Sequence, residues 1–154
     1  MAYTGSKAQA GRGSVLSIGG VKGAGGTETF TPIGEVKTSG ISGAKWNTVD
    51  VTNFNSGADQ EFITTIRDNG SLKLSGNRVS SDAGQLVVEQ AFASGAVYDF
   101  KLVLPLAAGQ NTTGDTYSFS AIVESREFDV DVTKEISWTV GLKISGPVTL
   151  TAGS

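Results

Sequence analysis

The chain has 154 residues, enough for one hydrophobic core and too few for two comfortable domains. It contains no Cys and no His, which removes disulfides, thiolate metal sites, cysteine nucleophiles and any Ser-His-Asp triad. Twelve basic and fifteen acidic side chains leave a net charge of −3, spread singly along the chain without the basic face that grips a phosphate backbone.

Twenty-one glycines and a hydrophobic content of 38% favour strands joined by Gly/Ser/Asn-rich turns over helices. Residues 1–13 are small and polar and read as a flexible N-terminal arm. They have no hydrophobic stretch of the kind a secretory signal carries, so folding in a cytoplasm is expected. Ser14 to Ile18 alternates as a short strand. Gly19 to Gly26 has the look of a phosphate loop but lacks the Gly-Lys-Ser/Thr ending, and a turn is the expectation. Thr29 to Val36 reads as an edge strand around Pro32, and Thr38 to Gly43 as a loop.

Lys45 to Thr52 alternates, with Trp46, Val49 and Val51 as its bulky residues, and both Trp46 and Trp138 are expected on packed strand faces. Residues 53–66 suit neither helix nor strand. Asn53, Asn55 and Ser56 to Asp59 form a turn cluster, yet Phe54, Phe62, Ile63 and Ile66 are large and apolar. A long loop carrying such side chains is commonly functional. It is read as an assembly arm with Phe54, Asn55, Phe62 and Ile63 at a subunit interface, or else as a loop lying over its own sheet edge.

Gly70 to Gly76 is a clean strand with Leu72 and Leu74 on one face. A helix is expected over 82–94, capped by Asp82 with Gln85 completing a capping box and Gly95 closing it. Its stripe is Val87, Val88, Ala91 and Phe92. Val97 to Leu104 and Thr116 to Glu124 alternate strongly. Beyond Arg126 the phase slips, which predicts a bulge or corner near Ser125. Either the strand bends and carries on, with Glu127, Asp129 and Asp131 facing water while Phe128, Val130 and Val132 take the buried side, or the acids belong to a turn before Lys134. Lys134 to Ser145 is the longest strand, and Val148 to Thr151 adds a last short one.

The total is a single all-β domain with one short α-helix, a two-layer β-sandwich or small barrel. WNTVDVTNFNSGADQEFI, then DNGSLKLSGN, the helix and the closing KEISWTVGLKISGPV together resemble the major tail tube protein of long-tailed phages, as does the opening AGRGSVLSI. The resemblance spans about residues 8 to 150, and none of its motifs is catalytic. It implies hexameric rings stacked into a tube around a tape-measure protein, with terminator and baseplate or tail-tip partners and DNA passing through the lumen. On that reading Glu127, Asp129 and Asp131 face the lumen or a ring-to-ring surface, and no cofactor is needed. The competing readings are a virion decoration, fibre or carbohydrate-binding sandwich, and an enzyme using Glu124, Glu127 and Asp129.

Overall fold

A computed structural model describes residues 8–154, so the first seven positions of the expected N-terminal arm lie outside the described residues. In chain order the elements are β1 (Val15–Val21), β2 (Thr31–Pro32), β3 (Val36–Ser42), β4 (Lys45–Asp50), β5 (Phe62–Asp68), β6 (Ser71–Asn77), α1 (Ala83–Ser94), β7 (Val97–Val103), β8 (Thr116–Asp129), β9 (Ser137–Ile144) and β10 (Thr149–Thr151). Eight strands form one sheet in the order β2-β1-β7-β8-β9-β6-β3, and β10 pairs with the start of β8. Every pairing is antiparallel.

The sheet curls until β1 and β3, near its two ends, line one cleft of about 750 Å³. Among the described residues no ladder closes that seam, so the sheet is an open barrel and not a closed one. One face is packed: Leu72 and Leu74 of β6, Val140 and Leu142 of β9, and Phe100 and Phe119 of β7 and β8 are all buried. Phe100 and Phe119 are register partners, and their rings stack with centroids 5.7 Å apart. Alternation with Ser, Thr, Lys and Gly on the other face gives the half-wet pattern of antiparallel sheets.

α1 packs against β1, β2 and β8, burying Val88 and Ala91. Its approach to β2 leaves no room for a side chain at Gly84, where a Cβ would stand 2.1 Å from the Pro32 carbonyl oxygen. Asp82 caps the helix, accepting from the Gln85 and Gly34 N–H groups at 3.0 Å each, and Gly95 ends it in the left-handed region with φ 69°. The capping box expected of Gln85 does not form. Its carboxamide is fully buried instead, donating to the Gly34 and Asn77 carbonyls and accepting from the Val79 N–H and the Arg78 guanidinium. Four polar groups in the gap between helix and sheet compete for that side chain and win it.

Several strand expectations change. The edge strand Thr29 to Val36 shrinks to the two residues of β2, while the expected loop Thr38 to Gly43 is largely strand β3. Main-chain pairing with β6 overrides the weak β-propensity of TSGISG. β8 carries on through the phase slip, with a register shift against β9 between Val123 and Ser125. Phe128, Val130 and Val132 are exposed, contrary to their expected burial. Phe128 continues the core face of β8, opposite Trp138, past the point where any layer covers it, and Val130 and Val132 lie beyond the strand in the turn. Among the described residues no helix is long and apolar enough to cross a membrane.

Two outcomes follow from these contacts. Gln85→Leu keeps the volume but strands the Gly34 and Asn77 carbonyls and the Val79 N–H. It should cost about 2–4 kcal/mol, read as a lowered urea midpoint with unchanged m-value. The C-terminal tail is held by Asp115, whose carboxylate accepts from the Gly153 N–H at 2.9 Å and the Gln110 side chain at 2.8 Å. The Gly153 bond is the main reason its pKa is lowered, with Gln110 adding to it. A depressed carboxylate stabilises the fold above its unfolded value and loses that contribution as pH falls through the folded one. Amide protection at Gly153 should therefore fade in acid, on a titration centred below that of an ordinary Asp, and Asp115→Ala should lack the protection at neutral pH.

Candidate assembly surface

β3 runs on into β4, and β5 runs on into β6. The paired strands β3 and β6 therefore extend into a second two-stranded ribbon, β4 and β5, which forms no ladder with any other described strand. The change of direction falls between Ser42↔Ser71 and Lys45↔Asp68. Gly43 and Gly70 sit there with φ 82° and 83°. At Gly70 a Cβ would lie 2.0 Å from the Ser42 carbonyl oxygen, so only glycine lets the two chains cross this closely.

Polar contacts fix the base of the ribbon. Asp68 accepts from the Gly70 N–H at 2.8 Å and from Lys143 Nζ at 3.3 Å, and these bonds, in that order, hold its carboxyl below the ordinary range. Asn69 donates to the Gly146 carbonyl at 2.7 Å, and the Arg67 guanidinium lies 5.2 Å from the Trp46 ring centre. The tip is knitted by its own side chains. Asn53 accepts from the Asn55 N–H, the Ser56 hydroxyl donates to Glu61, and Thr52 accepts from the Glu61 N–H. Such turn chemistry sets the tip without help from the body.

The ribbon then presents apolar groups to solvent. Val49 opposes Ile63 on one face, and Phe62, opposite Asp50, lies on the other. Trp46 is 52% exposed, Phe62 55% and Ile63 53%, while Phe54 at the tip is fully exposed. Phe54, Asn55, Phe62 and Ile63 are thus brought together on one projection. The long loop expected over residues 53–66 is not loop throughout, since β5 begins at Phe62. Trp46 is not on a packed face either, because the strand carrying it has left the sheet. Exposed Val49, Val51 and Ile66 belong to the same surface but were not among the interface residues inferred from sequence. The signal that could have found them is the pair of glycines bracketing two alternating runs.

A second projection is the end of β8 and the turn to β9. Arg126 pairs with Glu89, and its guanidinium lies 5.0 Å from the ring centres of both Phe92 and Phe128, tying the strand beyond the bulge to α1. Glu127 and Asp129 oppose Thr139 and Ser137, on the sheet face away from Trp138 and Val140, and are exposed. Asp131 lies in the turn, where the Thr133 N–H and hydroxyl lower its pKa. The three acids are not gathered into one site. Glu127 shares a shallow hollow of about 260 Å³ with Glu124, Ser125 and Lys73, on the polar face of β6, β9 and β8. No group of three potential metal ligands occurs among the described residues.

The arrangement offers large uncovered surfaces and a wet sheet face, which suit assembly. Comparison with curated proteins finds no match. Among solved structures the chain resembles a subunit from the tail of an empty gene transfer agent particle with C6 symmetry, at 21% identity and TM-score 0.70, covering 94% of this chain and all of that one. It also resembles the SPP1 tail tube, at 19% identity and TM-score 0.63, covering 92% of this chain and 77% of that one. A chain of the anti-feeding prophage baseplate, 6-fold symmetrised, shares 9% identity at TM-score 0.68, covering 97% and 98%. At such identities the likeness establishes the fold. The family model described as phage tail tube protein matches residues 8–150, nearly the whole sequence, and the chain belongs to that family as a structural subunit of a tail tube.

Proposed function

We propose that this chain polymerises as six-membered rings stacked into a hollow tube, through which DNA passes into the host. The observation that carries the reading is the β4–β5 ribbon, which displays apolar side chains on both faces and at its tip and leaves them half-exposed or fully exposed among the described residues. Isolated ribbons of two strands are marginal in water, so a partner surface is what makes this one worth extending. The six-fold symmetry of the particles containing structurally similar chains supports rings of six.

Phe54, Asn55, Phe62 and Ile63 are then contacts between copies, and the polar face of β3, β6, β9 and β8 lines the lumen. Ser, Thr and Gly alternate there with a few charges of both signs, Glu127 and Asp129 among them. Such a surface binds water well and gives a phosphate backbone no concentrated cationic groove. The role is mechanical and needs no catalytic group or cofactor. Tape-measure, terminator and baseplate proteins are the expected partners, and assembly takes place in the host cytoplasm.

Electron microscopy of the purified protein should show rings or tubes. A protein that stays strictly monomeric by light scattering at high concentration, with no polymer in virions, would overturn the reading. The ribbon has its own test in the triple variant Phe54→Ser, Phe62→Ser and Ile63→Ser. Burying each side chain between subunits contributes roughly 1.5–3 kcal/mol, less the cost of ordering. The loss recurs at every subunit. The variant should keep its β-type circular dichroism and cooperative melt, because these residues are outside the monomer core, and should fail to form tubes. Normal tubes would remove the ribbon from the interface.

A further inference from the structure

β1 breaks its regular pairing with β7 at one place. The register shifts between Ile18↔Phe100 and Val21↔Tyr98, which leaves Gly19 and Gly20 as a bulge opposite Asp99. The chain turns after Val21 and returns across this bulge. A Cβ on Gly19 would stand 2.9 Å from both Glu28 Cδ and Phe30 Cε1, so the returning segment lies flat on the strand.

Two contacts hold it there. The Gly20 N–H donates to Glu28 Oε2 at 3.1 Å, and the Lys101 ammonium lies 4.2 Å from the Phe30 ring centre. A third depends on a proton. The Glu28 carboxyl sits over the bulge that faces Asp99 and lines the same hollow with it, and Asp99 already accepts from the Ser120 hydroxyl. Two carboxyl groups bond to each other only when one is protonated, and repel when both are ionised. We infer that residues 22–30 form a proton-operated strap, closed over the Gly19–Gly20 bulge when Glu28 is protonated and bonded to Asp99, and loosened when Glu28 ionises.

The surroundings fix the sign. β7 supplies Asp99 and Lys101, β1 supplies the Gly20 N–H, and α1 contributes only the apolar Val87 to the open hollow of about 500 Å³ that the strap itself lines. Lys22, on the strap itself, reaches toward Gly146. Burial, foremost, and Asp99 raise the Glu28 pKa, against the opposing pull of Gly20 and Lys101. A group whose pKa is raised in the closed state favours closure below its ordinary value. That preference is lost as pH rises through the raised one. Acid therefore shuts the strap, and neutral solution leaves it to the Gly20–Glu28 and Phe30–Lys101 contacts, with the two carboxylates repelling each other.

Hydrogen exchange of the full-length protein, followed over residues 19–30 in acid and at neutral pH and corrected for intrinsic rates, tests this. The wild type should be several-fold more protected in acid. Glu28→Gln places a carboxamide that donates to Asp99 and accepts from Gly20 at either pH, so its protection should be high and pH-independent. Asp99→Asn, donating to an ionised Glu28, should raise protection at neutral pH. Equal protection of the wild type at both pH values overturns the strap, as does a wild-type pH profile that Glu28→Gln reproduces.

Discussion

The fourteen residues of β8 are the constraint on which the rest of the structure depends. Its first half is paired on both sides, by β7 along one edge and by β10 and then β9 along the other. That half buries Phe119, Ala121 and Val123. The bulge after Val123 inserts one residue and bends the strand, and the second half keeps β9 as its single neighbour while β7 ends opposite Ile122. The same strand thus serves as the middle of a core and as the support of a projection. Arg126 makes the transition possible. Its guanidinium covers two aromatic rings while its charge is met by Glu89, so the strand leaves the core without leaving a bare apolar edge at the junction.

The ribbon of β4 and β5 obeys the opposite logic. It is the continuation of the ladder between β3 and β6, redirected at two glycines in the left-handed region, of which Gly70 could take no side chain without moving backbone. Redirection removes it from the inner layer, and with that its Trp, Phe, Val and Ile side chains lose their cover. Within one chain these residues are a liability, an apolar two-sided strip with unpaired edges. The polar tip and the Asp68 and Asn69 tethers hold the strip in one orientation, which lowers the ordering cost of any partner contact.

Much of this was legible in the sequence wherever a single face decides the pattern. β6, β7, β9 and the first half of β8 alternate cleanly because one side packs and the other is wet, and the helix announced itself through Asp82 and Gly95. The bulge near Ser125 showed as a slipped phase. What escaped was whatever depends on neighbours distant in sequence. TSGISG looks like a loop and becomes β3 because β6 offers it a full ladder. Gln85 follows the capping-box spacing, but unpaired groups at Gly34, Asn77 and Val79 claim it. Periodicity places Phe128 on the inner face and gets the face right, but it carries no information about where the opposing layer stops or that the strand ends before Val130.

That division also explains how one fold persists between chains sharing only 9–21% of their residues. A ladder of antiparallel strands asks each position only to be apolar or polar, and many residues satisfy either demand. The few strict requirements are backbone ones. They arise where two segments approach so closely that a Cβ has no place, as at Gly70 against Ser42 and Gly84 against Pro32. Specific side-chain chemistry enters only at junctions, where a carboxamide or a guanidinium must satisfy several partners at once. In a protein whose contribution is shape, sequence is free to drift wherever the alternation and these close approaches are kept. Surfaces that meet another copy are bound more tightly, because a change on one copy must be matched by the surface it meets on every other copy.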